Sequence, residues 1–185
     1  TIGFVDTNIS SYGISIGNGQ PVIAGNYIGT NSSGQDLGCS TGIFVASGAD
    51  GPTIGGGASG AGNVIGWNTY FGINDDSIYS VGNGTIYQGN YVGVDRSGNI
   101  IPNGGHAFDM VSGVSTFGQD GDADANHFLA GAGDRAINLN SGTLHLNGVM
   151  HVTGDVVNAS TLNMNNVVMY TTGDLTNTGT WNDGT

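Results

Sequence analysis

The sequence predicts an all-β solenoid, a parallel β-helix in which wide rungs are followed by narrower ones. Three observations carry that expectation: repetition on two length scales, short apolar strands bounded by Gly, Asn or Asp, and a composition that disfavours helices. Repetition at a fixed spacing of tens of residues marks solenoids, whose units bury their apolar faces only by stacking on one another.

The repeats come first. Gly25-Asn26-Tyr27-Ile28-Gly29-Thr30 returns as Gly89-Asn90-Tyr91-Val92-Gly93-Val94, and polar turns ending in Ser33-Gly34 and Ser97-Gly98 follow them. Thr53-Ile54-Gly55 through Gly62-Asn63-Val64-Ile65 returns as Thr116-Phe117-Gly118 through Ala125-Asn126-His127-Phe128, again about 64 residues on. Gly13-Ile14, Gly42-Ile43, Gly72-Ile73, Ala107-Phe108 and Ala136-Ile137 recur about every 30 residues, the length of one coil with generous loops. From Asn140 the spacing shortens to about 19 residues, as in Thr143-Leu144, Thr161-Leu162 and Thr180-Trp181. Thr153-Gly154-Asp155-Val156-Val157-Asn158 likewise matches Thr172-Gly173-Asp174-Leu175-Thr176-Asn177. The chain therefore divides into residues 1–139, with coils of about 30 residues, and residues 140–185, a short-repeat solenoid continuing the stack. No Pro- or Ser-rich hinge separates them.

The strands are short: Ile14-Ser15-Ile16, Ile43-Phe44-Val45, Asn63-Val64-Ile65 and Thr85-Ile86-Tyr87. Each holds only when stacked about 4.8 Å from its copy in the next coil. The recurring Asn26, Asn63, Asn90 and Asn126 occupy equivalent bends, where stacked amides form ladders along the axis. Lys and Glu are absent, every acidic side chain is Asp, and the cations are Arg96 and Arg135. With 36 Gly and abundant Asn, Ser and Thr, long helices are disfavoured.

A net charge of -12 argues against nucleic acid, which needs clustered Lys and Arg, and against anionic membranes. No apolar run reaches the roughly 20 residues of a membrane span, so membrane insertion is not expected. The solitary Cys39 reads as a small buried residue. The chain starts at Thr1 without Met and carries no signal peptide, as expected of a processed or excised piece. Neither Thr1-Ile2-Gly3-Phe4-Val5 nor the stretch from Trp181 to Thr185 reads as a cap, so the ends are expected to meet further rungs or neighbouring subunits.

The phrases Ile23-Ala24-Gly25-Asn26-Tyr27-Ile28-Gly29-Thr30-Asn31, Thr53-Ile54-Gly55-Gly56 and Ala61-Gly62-Asn63-Val64-Ile65-Gly66 resemble a right-handed parallel β-helix repeat family of large bacterial secreted and cell-surface proteins. The likeness spans residues 10–140. The C-terminal Gly-Thr-Leu and Thr-Gly-Asp repeats look like those of giant adhesins and autotransporter-like stalks. The resemblance implies an extracellular rod or stalk. It does not imply lyase activity, because fold does not fix function.

Candidate chemistry is sparse. Asp75-Asp76 and Gly105-His106 superficially resemble the aspartate pair and Gly-His of polygalacturonase-like enzymes. Adjacent strand residues point to opposite faces, however, and the Arg-x-Lys partner is missing. No catalytic residue is assigned; Asp75, Asp76 and His106 read as solvated turn residues. Asp120, Asp122 and Asp124 have the alternate spacing of a calcium loop but lack the completing Glu, so calcium competes with a plain acidic turn. No other cofactor is expected. His127, His145 and His151 lack zinc-site spacing and read as surface or stacked residues. Tyr27 and Tyr91 are equivalent, so one face carries a repeated aromatic, either a sugar-stacking strip or ordinary packing. Asn8, Asn31, Asn83 and Asn158 match the N-glycosylation pattern. Thr residues do not form the ladder that ice binding requires. The leading expectation is a structural rod, a segment of an adhesin or a fibre subunit, that self-associates or continues through its ends. A carbohydrate-binding or polysaccharide-degrading β-helix is the alternative.

Overall fold

The structure, a computed structural model, describes residues 11–77, 84–119 and 122–183. Thr1–Val5, Asn8, Asn83 and Asp120 lie outside the described residues. Over the described residues the chain forms strands, turns and bends and no helix. Seven coils follow one another. Coil 1 holds β1 (Tyr12–Ile16), β2 (Val22–Ile23) and β3 (Tyr27–Ile28); coil 2 holds β4 (Thr41–Val45), β5 (Thr53–Gly55) and β6 (Val64–Ile65). Coil 3 holds β7 (Ile73–Asp76), β8 (Thr85–Gln88) and β9 (Tyr91–Val92); coil 4 holds β10 (Phe108–Ser112), β11 (Val114–Phe117) and β12 (Asn126–Leu129). The remaining coils have two strands each: β13 (Arg135–Leu139) with β14 (Thr143–Thr153), β15 (Asp155–Asn158) with β16 (Thr161–Thr171), and β17 (Leu175–Asn177) with β18 (Thr180–Asp183).

The first strands of all seven coils form one sheet, sheet 1, in the order β1-β4-β7-β10-β13-β15-β17. Every pairing between these strands is parallel. In coils 1–4 the second and third strands build two further ladders, and both run into β14. Its first half pairs with β11 and its second half with β12. The corner between those ladders disappears there, because Gly148 (φ 68) bends one strand where earlier coils needed a turn. Coil length follows. Asp109 contacts Asn138 29 residues on, whereas Asn158 contacts Asn177 only 19 residues on.

Like residues stack in columns because a parallel register repeats every rung. One inward column of sheet 1 runs Ile14, Ile43, Ile73, Phe108, Ile137, Val156 and Leu175. Another, from the remaining sheet, runs Ile23, Ile54, Tyr87, Phe117, Leu146 and Met164. The wide lumen is filled by aromatic rings: Tyr87, Phe108 and Phe117 meet edge to face at 4.7–5.4 Å, and Phe117 stacks on Phe128 at 4.9 Å. The narrow lumen is filled mainly by aliphatic side chains, among them Leu144, Leu146, Val152, Val156 and Leu162, all buried. The two-residue side ladders leave little room for error in the corners, which are therefore fixed by side-chain hydrogen bonds.

Candidate functional site

The corner between the second and third strands carries the asparagine ladder. Nδ2 of Asn26 donates to Oδ1 of Asn63, that of Asn63 to Asn90, and that of Asn90 to Asn126, at 3.0–3.3 Å. Each Oδ1 also accepts the backbone N–H of the Asn in the coil before. A second Nδ2 hydrogen bond hooks the carbonyl of Ile23, Ile54 or Tyr87. Asn63, Asn90 and Asn126 are buried, so these amides satisfy groups that water cannot reach. The column ends where Asn126 comes opposite Met150. In the narrow rungs Asn158 repeats the device with Asn177.

Long and short corners alternate, which accounts for the double-coil repeat. Residues 56–63 and 122–125 reach each other across the tight Gly89-Asn90 turn, with Ala123 N donating to Gly57 O. Asp124 accepts Gly60 N at 2.7 Å, 64 residues away. Asp122 accepts Gln88 Nε2 through one oxygen and Gln119 N through the other. Their carboxylates thus tie two loops together, and Asp120 lies outside the described residues. Among the described residues no group of three or more His, Cys or Asp side chains is arranged to hold a metal.

The aromatic strip is longer than Tyr27 and Tyr91. One outward column runs Tyr27, Val64, Tyr91, His127, His151 and Tyr170. From Tyr91 to Tyr170 the four rings stack within 7–12° of parallel at 4.6–5.0 Å. Arg96 lies 5.9 Å from the centroids of both Tyr27 and Tyr91 and donates to the Gly60 and Gly62 carbonyls. Burial, then the neighbouring His151, holds the His127 pKa below its ordinary value, with Asp124 opposing. Burial and Asp124 raise the Tyr91 phenol, against Arg96. Mutual stacking covers the facing sides of Tyr91, His127 and His151, whereas Tyr170, at the end of the stack, is 58% exposed.

A second group of aromatic rings lies on the outside of sheet 1. A cleft of about 280 Å³ lies among Tyr12, Phe44, Tyr70, Phe71 and Asn74. Tyr12 and Phe44 are stacked at 4.7 Å, and Phe71 lies 5.8 Å from His106. Asn74 continues the Phe44 column and donates to Asp109 at 3.0 Å. Asp109 also accepts from Asn138 and Asn140, so three amides surround one carboxylate. Arg135 donates to Asn138. Nδ1 of His106 lies 3.3 Å from both Arg135 N and Asp134 Oδ1. A neutral ring accepts from Arg135 through that nitrogen, and a ring protonated there meets Asp134 instead; it serves one partner at a time.

The aspartate pair is split by the sheet. Asp76 faces outward and accepts from Ser112 Oγ. Asp75 is not a solvated turn residue: it sits fully buried in the inward column between Val45 and Met110. Its carboxylate accepts from Tyr87 Oη, Ser115 Oγ and Ser77 N. Burial raises its pKa, with the hydrogen bonds from Ser115, Ser77 and Tyr87 opposing. Burial, then the Asp75 charge, raises the Tyr87 phenol well above its ordinary value. The pair therefore cannot act on one substrate, and His106, on the outer face, is remote from Asp75 by the thickness of the sheet.

A second ladder escaped the sequence reading. Asn68 donates to Asn103 Oδ1 at 2.8 Å and accepts from both the backbone N and the thiol of Cys39. Burial pushes the Cys39 thiol pKa up, which suits its place in this column. The preceding Trp67 adopts φ 61, and its indole N–H donates to Gly34 O. Of the glycosylation tripeptides, Asn158 is buried in its ladder, and Asn31 caps its own turn by accepting Ser33 and Gln35 N–H. No helix among the described residues is long and apolar enough to cross a membrane.

These features define a parallel β-solenoid protein with polar ladders at its corners and a separate aromatic cleft. Comparison with protein-family models, with curated proteins and with solved structures returns no match.

Proposed function

We propose that this chain is a structural rod element of an extracellular or cell-surface protein, a segment of an adhesin-like stalk or a subunit of a fibre. The observation that carries the reading is the inward column of sheet 1, which runs through all seven coils and ends uncovered at Leu175. Leu175 extends the inward column of Ile137 and Val156 yet is 43% exposed, and all of β17 faces solvent. Apolar surface and unpaired strand edges at one end of a stack favour a further rung, whether of the same chain or of a neighbour. Polar ladders along the shaft supply lateral stiffness without an active site. Neither calcium nor another cofactor is required by this role. The test is the shape of the native material: negative-stain microscopy is expected to show thin rods or filaments, and compact globular particles would overturn the reading.

A second reading, carbohydrate binding, is favoured by one observation: aromatic rings and an asparagine share the cleft on sheet 1. Turnover of polysaccharide is not part of it, since no pair of carboxylates among the described residues converges there.

A further inference from the structure

We infer that His127 and His151 together bind one borderline-soft divalent transition-metal ion, of the class of Zn²⁺ and Cu²⁺, through their ring nitrogens, with water completing the coordination. Such a site is independent of the rod and carbohydrate readings.

The two rings are brought together by the stack. His127 lies on β12 of the last wide coil and His151 on the second half of β14, in the first narrow one, where they are register partners. Their centroids are 4.6 Å apart and their planes differ by 12°. Tyr91 covers the other face of His127 and Tyr170 the other face of His151, at 4.6 and 5.0 Å. Both imidazoles are therefore held in place before a ligand arrives, which lowers the ordering cost of binding. Zinc–imidazole bonds are about 2.0–2.1 Å long, so two nitrogens up to about 4.2 Å apart can share one ion. A small tilt of the two outer ring edges toward each other reaches that separation, and His151 is exposed enough to make it.

The ring nitrogens are also free to act as ligands. Among the described residues no hydrogen bond occupies a ring nitrogen of His127 or His151. The other two histidines are engaged: Nδ1 of His145 meets the Asn163 amide, and Nδ1 of His106 is shared by Arg135 N and Asp134. Only neutral imidazole coordinates a metal. Burial, then the neighbouring His151, keeps the His127 pKa below its ordinary value of about 6.5, so this ring is unprotonated at neutral pH.

Charge and donor type fix the ligand class. The Asp124 carboxylate is close enough to act on both His127 and Tyr91, and the chain as a whole attracts cations with its charge of -12. Arg96, facing Tyr91, is the opposing cation, and its guanidinium is taken up by the Gly60 and Gly62 carbonyls. Imidazole suits zinc, copper and nickel, whereas calcium and magnesium require oxygen ligands. No third His, Cys or Asp among the described residues is arranged to close a cage, so the ion keeps water ligands.

The test is calorimetric titration with Zn²⁺ and, separately, Cu²⁺, in excess Ca²⁺ to occupy surface carboxylates. One ion per chain is expected. His127→Gln and His151→Gln should each weaken binding at least about tenfold, and His145→Gln should leave it unchanged. Zn²⁺ should raise the thermal midpoint of the wild-type chain and of neither site variant, because an ion held by two coils binds only the folded stack. Thermal unfolding without metal checks that the variants fold; His127→Val, the residue type at position 64 of the same column, replaces His127→Gln if that variant does not. Affinity weaker than about 1 mM for both ions would overturn the site. Binding that survives either substitution, or that falls equally in His145→Gln, would overturn it as well.

Discussion

The wide coils and the narrow coils solve the same problem with different parts. Coils 1–4 enclose a lumen broad enough for Tyr87, Phe108, Phe117 and Phe128, and they hold an extra corner with the Asn26–Asn63–Asn90–Asn126 ladder. The later coils drop that corner, fill the lumen with aliphatic side chains, and run one long strand through the position where the corner stood. Rung size is thus decided at the corner. Where an Asn with two coil-to-coil hydrogen bonds occupies it, the chain can turn twice and the lumen must be filled by rings. Where glycine at position 148 merely bends the strand, the coil closes sooner.

The largest difference should come from the lumen. Phe108→Ala leaves a void walled by three other rings, and a loss of about 3–5 kcal/mol is expected in urea unfolding. Leu162→Ala, in the narrow lumen near the exposed end, should cost about 2–3 kcal/mol, because a solenoid rung leans mainly on its neighbours and this region can relax. Equal losses would mean that both regions unfold as a single unit with similar packing. Next comes the ladder. Asn90→Ala strands the Asn63 amide, the Asn63 N–H and the Ile54 carbonyl in a buried site, so about 2–4 kcal/mol is expected. Asn26→Ala, at the partly exposed start of the ladder, should cost about 1 kcal/mol or less. A ladder whose ends matter as much as its middle would contradict burial as the source of its strength.

Much of this contrast was legible in the sequence, because repetition writes rung length directly. The recurring Gly-Asn dipeptides marked the ladder at Asn63, Asn90 and their equivalents, and the change of spacing near Asn140 marked the narrower rungs. Asp75 was misread because its immediate neighbours, Asn74, Asp76 and Ser77, are polar; only the alternation from Ile73 places it inward. Asn68 and Asn103 share no flanking motif, one following Trp67 and the other Pro102, so their pairing is a product of the stack. The column joining His127, His151 and Tyr170 crosses the change in coil length, where a fixed period cannot align its members. The cleft on sheet 1 draws on three successive coils and the loop before β7, and no single stretch of sequence announces it.

Two groups of the wide coils respond to pH with opposite signs. His127 sits where wide coils meet narrow ones, and its folded pKa is depressed. The native state then takes up this proton less readily than the unfolded chain. Its stability contribution is complete above the ordinary histidine value of about 6.5 and is lost as pH falls through that value towards the folded one. Asp75, inside the wide lumen, has a raised pKa. Its contribution is complete below the unfolded value of about 3.9 and is lost as pH rises through the folded value. Each group changes stability by at most about 1.4 kcal/mol per pH unit. In thermal unfolding across a pH series, His127→Gln should remove part of the acid-side decline, and Asp75→Asn should remove a decline in the opposite direction. A profile unchanged by both substitutions would mean that neither group titrates differently on folding.

The smallest effect on folding is expected at the far end of the narrow coils, and it discriminates most sharply between an inert surface and a joint. Leu175 belongs by register to the core column but is already 43% exposed, so Leu175→Asp should change stability by less than about 0.5 kcal/mol. If the end of the stack is a joint, the same substitution places a charge where another rung must close over an apolar side chain, an arrangement that buried, unpaired carboxylates do not tolerate. Sedimentation velocity over a concentration series should then show the wild-type chain associating and the variant remaining as single particles. Association that persists in the variant would locate the joint elsewhere. A wild-type chain that never associates would overturn the joint between separate chains at this end. Rung size does not restrict the partner there, because coil 4, with its extra corner, already stacks on the narrow coil 5 through β11 and β12 on the two halves of β14.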